Sequence, residues 1–331
     1  MLARATFEDF EASLEAAVDG IADPVNRPLL RTYFAFDEPG AKRGKRLRPR
    51  MTVAVAQAEG APPENAFPAA IAVELLHNFS LIHDDIEDRD ELRHGRPTLW
   101  VRFGIPAALG AGDAMCALAY ATLIDGCAAL DPERCSAMAR CLLRAHHAMT
   151  QGQAYDIGFE NATAVSFDEY VTMIACKTAA VFSAACELGA LAAGAPAERA
   201  AAYGAVGRAY GLAFQVRDDI LGSWGVQAQT GKPAGADVRR RKWSFPVAWA
   251  MSRPPSADRD VVARAYGQRE ALDDTRATLV LDALERLGAR EAADGACSRY
   301  LDEAKAIALR HGLDRDGALA ALLDGTANRT T

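Results

Sequence analysis

The amino-acid sequence predicts an all-α fold, a single helical domain occupying residues 1–331. Three observations lead there. Alanine is abundant, and long stretches hold neither Gly nor Pro. Helix-like and strand-like segments do not alternate along the chain, as they would in an α/β protein. Half of the residues are apolar, enough to bury a large core. No clean linker divides the chain and no short repeat recurs.

Taken in order, residues 5–20 read as an amphipathic helix, and Asp37-Glu38-Pro39-Gly40 as a turn. Lys42 to Pro49 forms a basic loop or helix entry. Pro49 suits the first turn of a helix through Ala58, and Gly60 suits its end. Pro68 opens the next helix, which runs past Asp88 and breaks at Gly95 and Pro97. Gly112-Asp113 reads as a cap opening a helix over residues 114–130. Further helices fit residues 133–158, 167–193, 197–222 and 244–252. Gly222 to Lys242, rich in Gly, Pro and charge, reads as a long loop, and short helices fill the C-terminal quarter.

Composition narrows the function. A net charge of −7 argues against general nucleic-acid binding, while the basic residues gather locally at Lys42–Arg50 and Arg239–Lys242. An acidic protein with basic islands suits a small anionic ligand. The seven cysteines are scattered without zinc-site spacing, which suits buried free thiols in a reducing cytoplasm. The acidic start Phe7-Glu8-Asp9-Phe10-Glu11 is not a signal pattern, and no uninterrupted apolar run of about 18 residues marks a membrane span. The C-terminus carries no lipidation box.

Two aspartate pairs stand in matching surroundings: Leu81-Ile82-His83-Asp84-Asp85-Ile86-Glu87-Asp88 and Phe214-Gln215-Val216-Arg217-Asp218-Asp219-Ile220-Leu221. Each ends an apolar run and precedes a basic cluster. Residues four apart share a helix face, so Asp84 and Asp88 project together with Asp85 beside them. Such carboxylates repel one another without a counter-ion. Mg²⁺ usually holds one or two carboxylates plus substrate phosphates, so two patches facing each other would clamp a diphosphate between metal ions. One acidic cluster alone reads as a solvated surface; two with the same flanks do not. Gly44-Lys45-Arg46-Leu47-Arg48 and Arg93-His94-Gly95-Arg96 supply the guanidinium forks and ammonium charges that diphosphates favour.

These residues carry a resemblance to the trans-isoprenyl diphosphate synthases, the polyprenyl synthetase family. The matches are GKRLRP at 44–49, ELLHNFSLIHDDIED at 74–88, LRHGRPT at 92–98, GD at 112–113, GQAYD at 152–156, KT at 177–178, FQVRDD at 214–219 and TGKPAGADVRRRK at 230–242. They occur in family order over roughly residues 40–250. The resemblance implies a helical bundle of the isoprenoid synthase type with a central apolar cavity, a homodimer, and three Mg²⁺ ions. It implies that Asp84, Asp88 and Asp218 hold the metal, with Asp85 and Asp219 in support. Lys45, Arg48 and His77 would grip isopentenyl diphosphate, and Arg93, Lys177 and Lys232 the allylic diphosphate. Thr178 and Gln215 would turn oxygen dipoles toward an allylic cation, and Gln153 and Asp156 would line the same cavity.

Three positions depart from the family pattern. The second acidic motif ends in Gly222 where an aspartate is usual, His94 stands where a second arginine is usual, and Arg43 replaces a common glycine. A largely neutral imidazole at 94 would weaken the grip on isopentenyl diphosphate or make it pH-dependent. The reaction implied is ionisation of the allylic diphosphate, condensation with isopentenyl diphosphate, and proton loss. Product length would be set below the first acidic motif. Phe79 with a simple DDxxD resembles the geranylgeranyl (C20) pattern, with farnesyl (C15) next, and Leu76 and Ser80 lie closer to the stripe of Asp84.

Other readings weigh less. A class I terpene cyclase shares the first motif but needs a hydroxyl residue where Gly222 stands, and has no use for Lys45 and Arg48. A non-catalytic partner subunit tends to lose metal aspartates, whereas Asp84, Asp88 and Asp218 remain. A metal phosphohydrolase needs histidine ligands beyond His83 and the tandem His146-His147. Gly225 to Lys232 does not have P-loop spacing.

Overall fold

The computed structural model describes residues 4–41, 43–128, 130–225, 235–268, 270–313 and 317–327. The chain divides into two compact units. The first comprises residues 1–144, 184–204 and 311–319, and the second comprises 145–183, 205–310 and 320–331.

In the first unit, α1 (Arg4–Asp19), α2 (Asn26–Phe34) and α3 (Leu47–Ala58) precede α4 (Phe67–Glu87). Pro68 lies in the first turn of α4, where its missing N–H costs nothing. From Ala69 to Leu76 every residue of α4 is buried, and both α3 and α6 pack against this helix. A short α5 (Leu99–Phe103) leads to α6 (Ile105–Gly126). The cap expected at Gly112-Asp113 is not one: Gly112 lies inside α6, seven residues past its start. A Cβ on Gly112 would meet His83 Nε2 at 2.3 Å, and one on Gly126 would meet Pro68 Cβ at 2.2 Å. Both glycines let α6 run antiparallel against α4 at close range. The glycine signal was genuine, but its cause is packing between helices and not a helix end.

Between α4 and α5 the chain makes a two-residue-strand hairpin, β1 (Leu92–Arg93) and β2 (Arg96–Pro97), with Arg93 opposite Arg96. His94 (φ 53°) and Gly95 (φ 79°) take the left-handed conformations that a tight I′ turn requires at both central positions. An all-helical expectation missed this hairpin.

In the second unit, α7 (Pro132–Glu160) contributes its residues from 145, α9 (Ala180–Ala192) those up to 183 and α10 (Ala197–Trp224) those from 205, and α8 (Phe167–Ile174) belongs to it whole. Ser166 caps α8: its hydroxyl accepts from the Glu169 N–H while Glu169 reaches back to the Ser166 N–H. The helix expected over 167–193 is present, interrupted by one π-helical turn at Ala175–Ala179. α10 runs two residues further than expected, and Ala236–Arg239 adds a helical turn inside the expected loop. Helices Phe245–Met251, Ala257–Tyr266, Asp274–Arg286 and Ala289–Arg310 pack against one another, and Ala318–Ala327 follows.

Three helical stretches are long and apolar enough to cross a membrane by length and composition: Pro63–Glu87, Ile105–Gly126 and Phe167–Ala192. Most of the apolar window is buried in the first and third, but only 33% of it in the second, which is α6.

Candidate active site

The first acidic motif ends α4. Asp84 and Asp88 lie one turn apart and half-buried, with the Asp88 N–H donating to the Asp84 carbonyl at 2.8 Å. Asp85 is 2% exposed and accepts from Arg93 Nε at 2.8 Å and Nη2 at 2.7 Å. Burial pushes its carboxyl above the ordinary range, and the Arg93 hydrogen bonds pull it back. The β-hairpin therefore delivers Arg93 to the motif itself, and Asp85 holds the guanidinium in place.

The basic run at 44–49 splits on folding. Arg46, in a left-handed conformation (φ 49°), turns inward and donates to Glu11 and to Glu74, each at 2.8 Å. It is a structural cation. Lys45 stays exposed, while Arg48 is buried. Glu74 also accepts from Asn78 Nδ2 at 2.8 Å, and Asn78 Oδ1 accepts from the Tyr33 hydroxyl at 3.0 Å. Arg43, Arg93, His94 and Arg96 line a solvent-open pocket with an empty volume of about 490 Å³, with Asp85 and Asn78 also in its wall. Lys45, Arg48 and His77 do not line it. His77 lies near these cations: burial first, then Arg48, Arg93, Arg46 and His94, lowers its pKa well below the usual value. His77 is therefore a neutral hydrogen-bonding group at physiological pH, not a fixed charge.

Among the chain-length candidates, Leu76 is wholly buried, and Ser80 donates its hydroxyl to the His77 carbonyl at 2.8 Å. Phe79 is 7% exposed and meets the His83 ring edge-on, with centroids 5.5 Å apart. His83 in turn lies against Gly112 of α6, so the aromatic wall is braced by the α4–α6 contact.

The second acidic motif ends α10. Asp218 is half-buried, and Asp219 is 6% exposed. Asp219 accepts from the Tyr170 hydroxyl at 2.5 Å, the Phe245 N–H at 2.7 Å and Gln215 Nε2 at 2.9 Å. Its pKa is pushed up to about 7 by burial, against those three hydrogen bonds. Gln215 Oε1 accepts from the Thr178 hydroxyl at 2.6 Å. A continuous chain thus runs from Tyr170 and Phe245 through Asp219 and Gln215 to Thr178. Thr178 and Lys177 lie on the π-helical turn, an irregularity often placed at functional sites because it re-aims side chains. Lys177 Nζ pairs with Asp156 at 2.5 Å. A Cβ on Gly152 would meet the Lys177 backbone nitrogen at 2.2 Å, so this glycine lets α7 touch the π turn. Gln153 is half-buried on α7, and Lys232 lies outside the described residues.

Sequence reasoning missed Tyr170, Glu74 and Asn78. Tyr170 stands 49 positions before the aspartate it anchors, and nothing local marks it. Glu74 and Asn78 were visible within the matched run at 74–88 but gave no sign of facing Arg46 and Tyr33.

The donor set suits Mg²⁺. Among the described residues no three His, Cys, Asp or Glu side chains form a ready-made cage. The half-buried carboxylates of Asp84 and Asp88, and separately that of Asp218, are hard oxygen donors of the kind Mg²⁺ takes beside water and phosphate oxygens.

The sequence profile of the polyprenyl synthetase family matches residues 34–283. A (2E,6E)-farnesyl diphosphate synthase of Mycobacterium tuberculosis is 41% identical over 305 residues, covering 89% of this chain and 84% of the relative. A geranylgeranyl diphosphate synthase of Sulfolobus acidocaldarius is 36% identical over 260 residues, covering 76% and 78%. The crystal structure of a polyprenyl synthetase from Streptomyces coelicolor superposes with a TM-score of 0.89 at 32% identity, covering 97% of each chain. Two buried-aspartate motifs, a cationic hairpin and a polar chain into a π turn thus stand on a fold and sequence shared over nearly the whole length, and the chain belongs to the polyprenyl synthetase family as a prenyltransferase with the all-α isoprenoid-synthase fold.

Proposed function

We propose that this chain, acting as one domain, condenses isopentenyl diphosphate with an allylic diphosphate and releases geranylgeranyl diphosphate (C20). One observation carries the reading. In both motifs the second aspartate is taken up by protein donors, while the first stands half-buried at the helix end. A buried, anchored second aspartate fixes the helix segment from which the first projects, as a metal-holding carboxylate requires.

Asp84, Asp88 and Asp218 would hold Mg²⁺, three ions in all, which when bound would neutralise charge growing on the leaving diphosphate. Arg93, Lys177 and Lys232 bind the allylic diphosphate oxygens; Asp85 and Asp156 orient the first two. Lys45, Arg48, neutral His77 and His94 bind isopentenyl diphosphate. Gln215 and Thr178 turn oxygen toward the carbon that becomes cationic. Apolar helix walls exclude the water that would quench it. The departing diphosphate takes the proton, so no side chain serves as general base.

Phe79 supports the C20 product, standing five positions before Asp84 with its ring braced by His83. The geranylgeranyl diphosphate synthase relative points the same way, while the more similar Mycobacterium protein favours C15. α6 and its approach leave Val101, Phe103, Ile105 and Leu109 exposed, an apolar face that supports a homodimer. Seven free thiols support a reducing cytoplasm.

The test is product analysis by mass spectrometry with Mg²⁺, isopentenyl diphosphate and, separately, dimethylallyl, geranyl and farnesyl diphosphates. C20 product is expected from the wild type and longer chains from Phe79→Ala. A C15 end product keeps the condensation and rejects the chain length; an unchanged distribution for Phe79→Ala removes Phe79 as the stop.

A further inference from the structure

Arg43 and His94 each depart from the pattern of related sequences, and the fold sets these distant positions side by side. Gly44 (φ 83°) leaves the room between them: a Cβ there would lie 3.7 Å from His94 Nε2. The imidazole at the hairpin tip therefore rests against the turn that carries Arg43. Both residues line the solvent-open pocket beside Asp85. At 43 a guanidinium has been gained and at 94 one has been lost, so a positive charge has crossed this contact.

Four guanidiniums line the pocket. Three are held by carboxylates at close range: Arg46 by Glu11 and Glu74 at 2.8 Å each, Arg93 by Asp85 at 2.7 Å, and Arg96 by Glu38 at 3.0 Å. Arg43 has Glu11 only at 4.0 Å, and Glu11 already serves Arg46. Its Nη2 instead donates to the Ala35 and Phe36 carbonyls at 3.0 and 3.3 Å, and its guanidinium carbon lies 5.6 Å from the centre of the Phe36 ring. Those partners fix the side chain without cancelling its charge. Arg43 is thus the source of the excess positive charge in this pocket. Arg46 adds a donor: it is 5% exposed, and its Nη2 has no hydrogen-bond partner. A buried N–H left unpaired is costly, and an anionic oxygen in the pocket would satisfy it.

We propose that Arg43 supplies the diphosphate-binding charge that a guanidinium at 94 would otherwise bring, with Arg46 Nη2 donating to the same anion, and that it thereby sets the affinity for isopentenyl diphosphate. This rests on the reading that Lys45, Arg48, His77 and His94 receive isopentenyl diphosphate. Arginine at 43 and histidine at 94 are then a matched pair: the charge can stand on the turn or on the hairpin tip.

Calorimetric titration with isopentenyl diphosphate in EDTA tests this without turnover. Steady-state assays with isopentenyl or geranyl diphosphate varied in turn separate the two substrates. Arg43→Gln, which can still donate to the Ala35 carbonyl, should weaken isopentenyl diphosphate binding about tenfold, the scale of one hydrogen bond to a charged group. KM for isopentenyl diphosphate should rise in step, with KM for geranyl diphosphate little changed. Arg43→Gly should behave alike. His94→Arg combined with Arg43→Gln should restore binding to near the wild-type level, because the charge returns across the same contact; a role confined to bracing Ala35 and Phe36 could not be rescued from position 94. Circular dichroism establishes that each variant is folded, and Lys45→Ala serves as the reference for loss. If Lys45→Ala loses binding while Arg43→Gln matches the wild type, the proposal falls and the substrate reading stands. A loss that His94→Arg does not restore, or an equal rise in both KM values, also overturns it. Binding unchanged in Lys45→Ala removes both.

Discussion

Asp85 and Asp219 hold the same place in two acidic motifs, each the second of a pair at the end of an apolar helix. Both are buried, and burial raises the carboxyl pKa of both. Their partners differ in kind. Asp85 faces a guanidinium, Arg93, through two hydrogen bonds. Asp219 faces three neutral donors, a phenol, an amide side chain and a backbone N–H. The first arrangement cancels charge and fixes a cation beside the motif. The second leaves the charge uncancelled and uses the carboxylate to orient dipoles, chiefly Gln215 and, through it, Thr178. The same dipeptide thus fixes a guanidinium beside the end of α4 and a chain of dipoles beside α10.

The comparison requires that the first aspartates be alike where the second are not. Asp84→Ala and Asp218→Ala should each lower kcat roughly 10²- to 10³-fold, the scale for removing a group that supports developing charge. Both are half-buried at helix ends, so circular dichroism should stay native. Steady-state assays at saturating Mg²⁺ check this. If one variant retains wild-type kcat, the two motifs are not equivalent.

Stability should separate the second aspartates. Asp85→Asn strands Arg93, and breaking a buried pair costs about 3 kcal/mol, the low end of the range because the Arg93 side chain is 25% exposed. Asp219→Asn can keep its oxygen toward Tyr170 and Phe245 but then turns its NH₂ toward Gln215 Nε2, leaving one buried group unsatisfied at about 1–3 kcal/mol. Urea denaturation of the two variants should place Asp85→Asn lower. The reverse order would mean that the neutral donors hold α10 more firmly than the ion pair holds α4.

The same contrast explains what could be read from the sequence. Asp84, Asp88 and Asp218 were legible because helical spacing and flanking apolar runs are local. Most helices were legible because packing preserves their periodicity; Gly112 was misread because a glycine that admits a neighbouring helix looks like one that ends its own. The inward turn of Arg46 toward Glu11 and Glu74 depends on residues 35 and 28 positions away. Tyr170 reaches α10 from 49 positions away, and the π turn that carries Lys177 and Thr178 has no signature in side-chain pattern. The candidate groups are marked by local pattern; their partners are not.

The smallest predicted effect probes what sits upstream of each motif, one turn before Asp219 and two turns before Asp85. On α10, Thr178 donates to Gln215, which Asp219 holds from its other end. Thr178→Val keeps the shape and removes the donor, at a cost of about 1 kcal/mol if that bond matters equally in all states. On α4, Tyr33→Phe removes the corresponding hydroxyl, the one bonded to Asn78 in the wall of the cationic pocket. A pocket that binds diphosphate should answer through KM, and a dipole aimed at a transient cation through kcat. Thr178→Val is therefore expected to lower kcat about tenfold, the equivalent of roughly 1.4 kcal/mol, with KM little changed. Tyr33→Phe is expected to raise KM for a diphosphate substrate with kcat little changed. Equal effects of Thr178→Val on kcat and KM would mean that the Thr178–Gln215–Asp219 chain merely supports the fold, and the contrast between a binding motif on α4 and a polarising one on α10 would then reduce to architecture.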